Sequence, residues 1–197
     1  MKISIVADER QMRRALSELS HIKNGAGRAM ASALNRTLTG LKSDAAKEVR
    51  NSYIIQHKDV LRVLKTTKAT KTKLVAELKG TYDKISLSKF RVTPKRTIGV
   101  RPKKGLKVTV KKNEGGRMQH GFIATVGGGV QVFTRKGKDR LPIKKHFGPA
   151  VVQMLASDEV DAKIQRQAQE RLNKNMAHEI DRILQGHGSG RGKVSIF

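Results

Sequence analysis

The chain has 197 residues, 37% of them apolar and 4% aromatic, and its 42 Lys and Arg outweigh 16 acids to give a net charge of +26. It contains no cysteine, which excludes disulfides, thiolate nucleophiles and zinc–sulfur sites and suits a reducing compartment. So strong a positive field draws polyanions, which points to nucleic acid or acidic protein surfaces as partners. A membrane is not expected, because no run of about 18 apolar residues occurs. The opening MKISIVADERQ soon turns acidic and polar, unlike a secretory signal.

In chain order, Lys2–Val6 alternates apolar and polar residues and predicts a short strand. Asp8 with Gln11 three residues on has the pattern of a capping box, opening a helix whose stripe is Met12, Leu16, Leu19 and Ile22. Asn24-Gly25 is its expected stop. A longer helix is predicted over 26–53, with an apolar stripe of Met30, Leu34, Thr37, Leu41, Ala45 and Val49. A short helix is expected over 59–64.

From Lys73 the period changes to two. Leu74, Ala76 and Leu78, then Ile85 and Leu87, then Leu106, Val108 and Val110, alternate with polar or oppositely facing residues. Residues 97–101 form a further candidate strand. The stretches 122–126 and 130–134 flank Gly127-Gly128-Gly129, which predicts a hairpin. A connector punctuated by Pro142 and Pro149 leads to a last helix over 157–185, capped by Ser157 or Asp158. Its stripe is Val160, Ile164, Ala168, Leu172, Met176, Ile180 and Ile183 or Leu184.

Catalytic chemistry finds little support. The histidines (His21, His57, His120, His146, His178, His187) show no metal-ligand spacing. Gly127-Gly128-Gly129 lies between strands with no helix N-terminus to receive a phosphate. No carboxylate pair stands out as general acid and base, so neither an enzyme nor a cofactor is expected.

The basic stretch is more informative. Eleven Lys and Arg fall between Lys89 and Arg117 against the single acid Glu114, and a second run spans Arg135 to Lys145. Phe90 is the only aromatic within the first run, which disfavours base stacking on single strands and leaves backbone-directed attraction to phosphate. A solvated loop and sheet face, or a surface matched to acidic subunits, is equally open. The candidate DNA- or lumen-facing residues are Arg91, Lys95, Arg96, Arg101, Lys103, Lys104, Lys107, Lys111 and Lys112.

The order of features resembles the minor tail protein Z family of long-tailed phages and prophages. The helix AMASALNRTLTGLKSDAAKEV carries an A-x-A-hydrophobic-N-R pattern in Ala31, Ala33, Leu34, Asn35 and Arg36, and the connector RLPIKKHFGPAVVQML carries Arg140, Leu141, Pro142, Ile143, Gly148 and Pro149. The resemblance spans Ser17 to Leu184. It implies a tail-completion protein at the head-proximal end of the tail, with no catalytic activity and no cofactor. Implied partners are the tail terminator, tube and connector proteins, and a homo-oligomeric ring; the implied location is the virion tail, after assembly in the host cytoplasm. Leu141, Pro142, Ile143, Phe147, Gly148 and Pro149 are the candidate subunit contact. Two rival readings are a sequence-nonspecific nucleic-acid-binding protein and a basic nuclease or toxin.

The expected fold is α+β: an N-terminal helical pair, an antiparallel sheet of about five strands and a long C-terminal helix. A single domain is expected over 1–185 (helical 8–65, β-rich 73–135, connector 140–156, helix 157–185), followed by a glycine-rich tail over 186–197.

Overall fold

A computed structural model describes residues 2–95, 102, 104–156 and 158–186. The chain divides into two compact units. One comprises Met1–Asp44, Lys65–Lys79 and Asp158–Phe197; the other comprises Ala45–Leu64 and Gly80–Ser157. The expected strand 97–101, the Ser157 cap and the tail from 187 lie outside the described residues.

The first unit is built from strand β1 (Lys2–Val6), helix α1 (Glu9–Glu18), most of α2 (Gly25–Ser52), strands β2 (Leu64–Thr67) and β3 (Val75–Gly80), and helix α5 (Asp158–Leu184). β1 pairs antiparallel with β3, Ile3 opposite Leu78 and Ile5 opposite Ala76, and all four side chains are buried. The capping box at Asp8 forms: the Gln11 amide donates to Asp8 Oδ1 at 2.8 Å, and the Asp8 amide donates to Gln11 Oε1 at 2.9 Å. The buried face of α1, however, is Gln11, Ala15 and Leu19, and Leu16 is 57% exposed. The polar Gln11 is held by Asn173 of α5. That bond and the small Ala15 let the two helices approach on a face that hydrophobicity alone does not mark.

Every residue of the expected α2 stripe is buried, and burial extends to Ala29, Ala31, Ala33, Leu38 and Ala46, so the face is wider than a single row. Small residues permit this. Gly40 lies so close to Arg171 of α5 that a Cβ there would meet the guanidinium at 2.7 Å. The polar residues of this interface are matched. Asn175 Nδ2 donates to the fully buried Thr37 Oγ1 at 2.9 Å, and Arg171 pairs with Asp44 at 2.5 Å. Asn35 clamps the backbone between β2 and β3: its Oδ1 accepts from the Ala69 amide at 2.8 Å while its Nδ2 donates to the Ala69 carbonyl at 2.9 Å. Arg36 reaches Glu179 at 3.3 Å, and Glu179, 3% exposed, also takes Arg182 at 2.6 Å. On α5, Ile164, Ala168, Leu172, Met176, Ile180 and Ile183 form the buried row, and Leu184 faces out.

The second unit holds the end of α2, helix α3 (His57–Val63), strands β4 (Lys84–Ser86), β5 (Arg91–Thr93), β6 (Leu106–Lys111), β7 (Glu114–Met118), β8 (Gly121–Val126), β9 (Gly129–Arg135), β10 (Ile143–Lys145) and β11 (Phe147–Ala150), and helix α4 (Val151–Leu155). The α+β class holds, but the single five-stranded sheet does not. The strands of the two units form four small sheets, in the orders β1-β3-β2, β10-β9-β8, β11-β4 and β5-β6-β7. The strands are short, and several bury only one residue (β5 only Val92, β6 only Leu106). Among the described residues no strand supplies enough apolar surface for one broad packed face, so each small sheet covers its own part of the core. β8 and β9 form the expected hairpin, Val126 opposite Gly129, and its two-residue turn Gly127-Gly128 has φ of +62° and +76°. This primed geometry needs positive φ at both positions, which is why glycine occupies them.

Titratable groups tie the stability of both units to pH. Hydrogen bonds from Lys2 and Lys79 hold the Glu77 carboxyl at about 2. Burial works to raise the Glu179 pKa, but hydrogen bonds from Ser32, Arg182 and Arg36 and the Arg182 charge outweigh it and leave it lowered. Burial, with the Lys144 charge behind it, lowers the His146 pKa. A carboxylate depressed in the fold contributes stability above its unfolded value, near about 4.3, and that contribution is lost as pH falls through the folded value. A histidine depressed in the fold acts in the same direction, since the fold favours the neutral ring and loses stability as pH drops below about 6.5. The thermal midpoint is therefore expected to fall on acidification, first through His146 and then between about pH 4.3 and 2. Glu77→Gln should flatten the second stage. A midpoint that rises on acidification would contradict this account.

Candidate functional site

The β5-β6-β7 sheet of the second unit sorts its residues by charge. Its register sets Arg91 opposite Thr109, Thr93 opposite Lys107, and Lys107 opposite Arg117. Cross-strand partners share a face and alternate residues change face. Up to the register shift after Thr109, one face therefore carries Arg91, Thr93, Lys107, Thr109 and Arg117; the other carries Val92, Leu106, Val108 and Met118. Lys107 and Arg117 are like charges set directly opposite, an arrangement that destabilises a sheet unless something offsets it. Among the described residues neither has a carboxylate partner, whereas Lys111 pairs with Glu114 at 3.5 Å.

The end of α2 is stitched to this sheet by backbone bonds. The Ile54 amide donates to the Val110 carbonyl at 2.8 Å, the Lys112 amide donates to the Ser52 carbonyl at 2.8 Å, and Tyr53 bridges Lys111. A groove of about 720 Å³ results. Its cations are Arg50, Lys89, Arg91, Lys95 and Lys112, and Gln56, Thr109 and Asn113 add hydrogen-bonding groups. No acid lines it. Lys89 is held by Asp59 at 3.1 Å; the other four have no carboxylate partner among the described residues.

Of the expected basic residues, Arg91, Lys95, Lys104, Lys107, Lys111 and Lys112 are all exposed. Arg91 and Lys107 share the sheet face, Lys111 lies beyond the register shift, and Arg91, Lys95 and Lys112 share the groove. Arg96, Arg101 and Lys103 lie outside the described residues. Arg50 and Tyr53 were not anticipated. Their only signal was position, at the polar end of α2 away from its apolar stripe. The expected contact residues are divided. Leu141 and Phe147 are 67% and 47% exposed and Pro142 is exposed, but Ile143 pairs in β10 and Gly148 lies against Phe90. The connector is thus largely ordered structure, two strands and α4, whose Val151, Val152, Met154 and Leu155 are core.

Among the described residues no group of three or more His, Asp or Glu is placed to hold a metal ion, and no helix is long and apolar enough to cross a membrane. The geometry is that of a basic α+β protein whose β5-β6-β7 sheet presents a cationic face. Residues 10–186 match the family model described as prophage minor tail protein Z (GPZ), and the chain belongs to that family. It is a structural protein of the phage virion tail. No curated protein and no solved structure matches the chain.

Proposed function

We propose that the protein completes the tail at its head-proximal end and makes the finished tube competent to join the head. The observation that carries this reading is the cationic face of the β5-β6-β7 sheet, where Lys107 and Arg117 stand opposed with no carboxylate partner among the described residues. A subunit that passes DNA, or that seats against acidic neighbours at a junction, gains from such a field, which a tail-surface decoration does not need. On this reading the neighbours are the terminator, tube and connector proteins, and assembly takes place in the host cytoplasm. The exposed Leu141 and Phe147 serve as contacts between copies in a ring or with a neighbour. No reaction is assigned to it.

Micrographs of particles from a host carrying an amber codon in this gene test the reading. Finished tubes unattached to heads are the expected result. Normal, infectious particles would overturn it and favour a free, sequence-blind nucleic-acid-binding protein.

A further inference from the structure

We propose that the groove between the end of α2 and the β5-β6 face binds the phosphodiester backbone of duplex DNA. The inference rests on the basic-face part of the reading above and is independent of whether the protein completes tails.

Three observations carry it. Among the described residues the lining holds five cations and no acid, and four of those cations lack a carboxylate partner. Collecting unpaired like charges costs energy in the free protein, and an anion that enters recovers it. The frame is also fixed. The two backbone bonds at 2.8 Å and the Tyr53–Lys111 bridge hold the Arg50 turn against β6, which carries Thr109 and leads into Lys112, so the cations are presented together. The Ser52 carbonyl at the negative end of α2 is taken by the Lys112 amide, which tempers a local feature that would repel an anion.

The chemistry of the lining separates DNA from an acidic protein. Protein interfaces are anchored by an apolar core and are depleted in lysine. Here Ile55 and Phe90 are buried, Ile54 and Tyr53 are half-buried, and most of what faces outward is Lys, Arg, Gln and Asn. That composition matches nucleic-acid interfaces, which are polar and strongly positive. With Phe90 buried and Tyr53 half-buried, the described lining of the groove presents no fully exposed aromatic platform for stacking on bases, which favours a duplex read through its phosphates. Binding would be blind to sequence.

The test is fluorescence anisotropy of the full chain with a labelled DNA duplex across a NaCl series. Each phosphate contact contributes about 0.9 to the slope of log K against log salt. Arg50→Gln, Arg91→Gln and Lys112→Gln together should make the slope shallower by about 2 to 3. A control triple in the first unit, Lys23→Gln, Lys68→Gln and Arg166→Gln, removes the same charge and should leave most of the slope. The swap R50K, R91K and K112R should retain binding. Equal loss in both triples, no loss in either, or competition by poly-glutamate as effective as by unlabelled duplex would overturn the proposal, the last in favour of an acidic protein partner. Loss of DNA binding in the groove triple with tails still joining heads would separate this site from the tail-completion role.

Discussion

Gly105→Ala is expected to destabilise the second unit by about 3 kcal/mol, as read by urea unfolding. Two effects add. Gly105 has φ +68°, a left-handed conformation that costs an L-residue about 1–2 kcal/mol. A Cβ there would also stand 2.5 Å from the Met118 carbonyl oxygen and 2.8 Å from Gln119 Cα. Both are backbone atoms and cannot rotate away, and overpacking of this kind costs about 1–3 kcal/mol more. Because Leu106 follows directly, fully buried and paired with Met118, the strain falls where the cationic sheet begins. Gly116→Ala is the control: nothing lies within 4 Å of its Cβ position and its φ is ordinary, so its cost should stay below about 1 kcal/mol. Equal losses in the two variants would show that the turn does not set the sheet.

Leu172→Ala should cost about 3 kcal/mol, within the range for a fully buried leucine that leaves a cavity. Leu172 has no exposed surface and sits mid-row on α5, between Ala168 and Met176. Leu172→Met, which keeps the volume, should cost less than about 1.5 kcal/mol. The informative comparison is Leu16→Ala. Helical spacing alone sets Leu16 in the apolar stripe of α1, yet it is 57% exposed, so its truncation should change stability by less than about 0.5 kcal/mol. A Leu16 effect as large as that of Leu172 would mean that α1 packs on its other face.

What could be read in advance follows from the range of the interactions involved. The Asp8–Gln11 cap, β1, and the α2 and α5 rows depend on neighbours within a few residues, and their periodicity is explicit. β7 was invisible because Glu114-Gly115-Gly116-Arg117-Met118 has no alternation to read, and β5, β10 and β11 are too short to show any. Their existence depends on partners far along the chain, as when β11 pairs with β4. The α1 face was misjudged because Gln11 is buried through a bond to Asn173, which no local pattern reveals. The groove follows the same logic. Arg91, Lys95 and Lys112 stood out by charge density, but Arg50 joins them only through the backbone bonds between α2 and β6. The A-x-A-hydrophobic-N-R pattern now has a physical basis in the first unit: Ala31, Ala33 and Leu34 are buried, Asn35 clamps Ala69, and Arg36 pairs with Glu179.

The most direct test of a tail-completion role is rescue outside the cell. Purified protein is added to an amber-mutant lysate that contains finished tubes and filled heads, and plaque-forming particles are counted. The account predicts that infectivity rises with added protein as tubes join heads; a lysate that stays without joined particles at any concentration would contradict it.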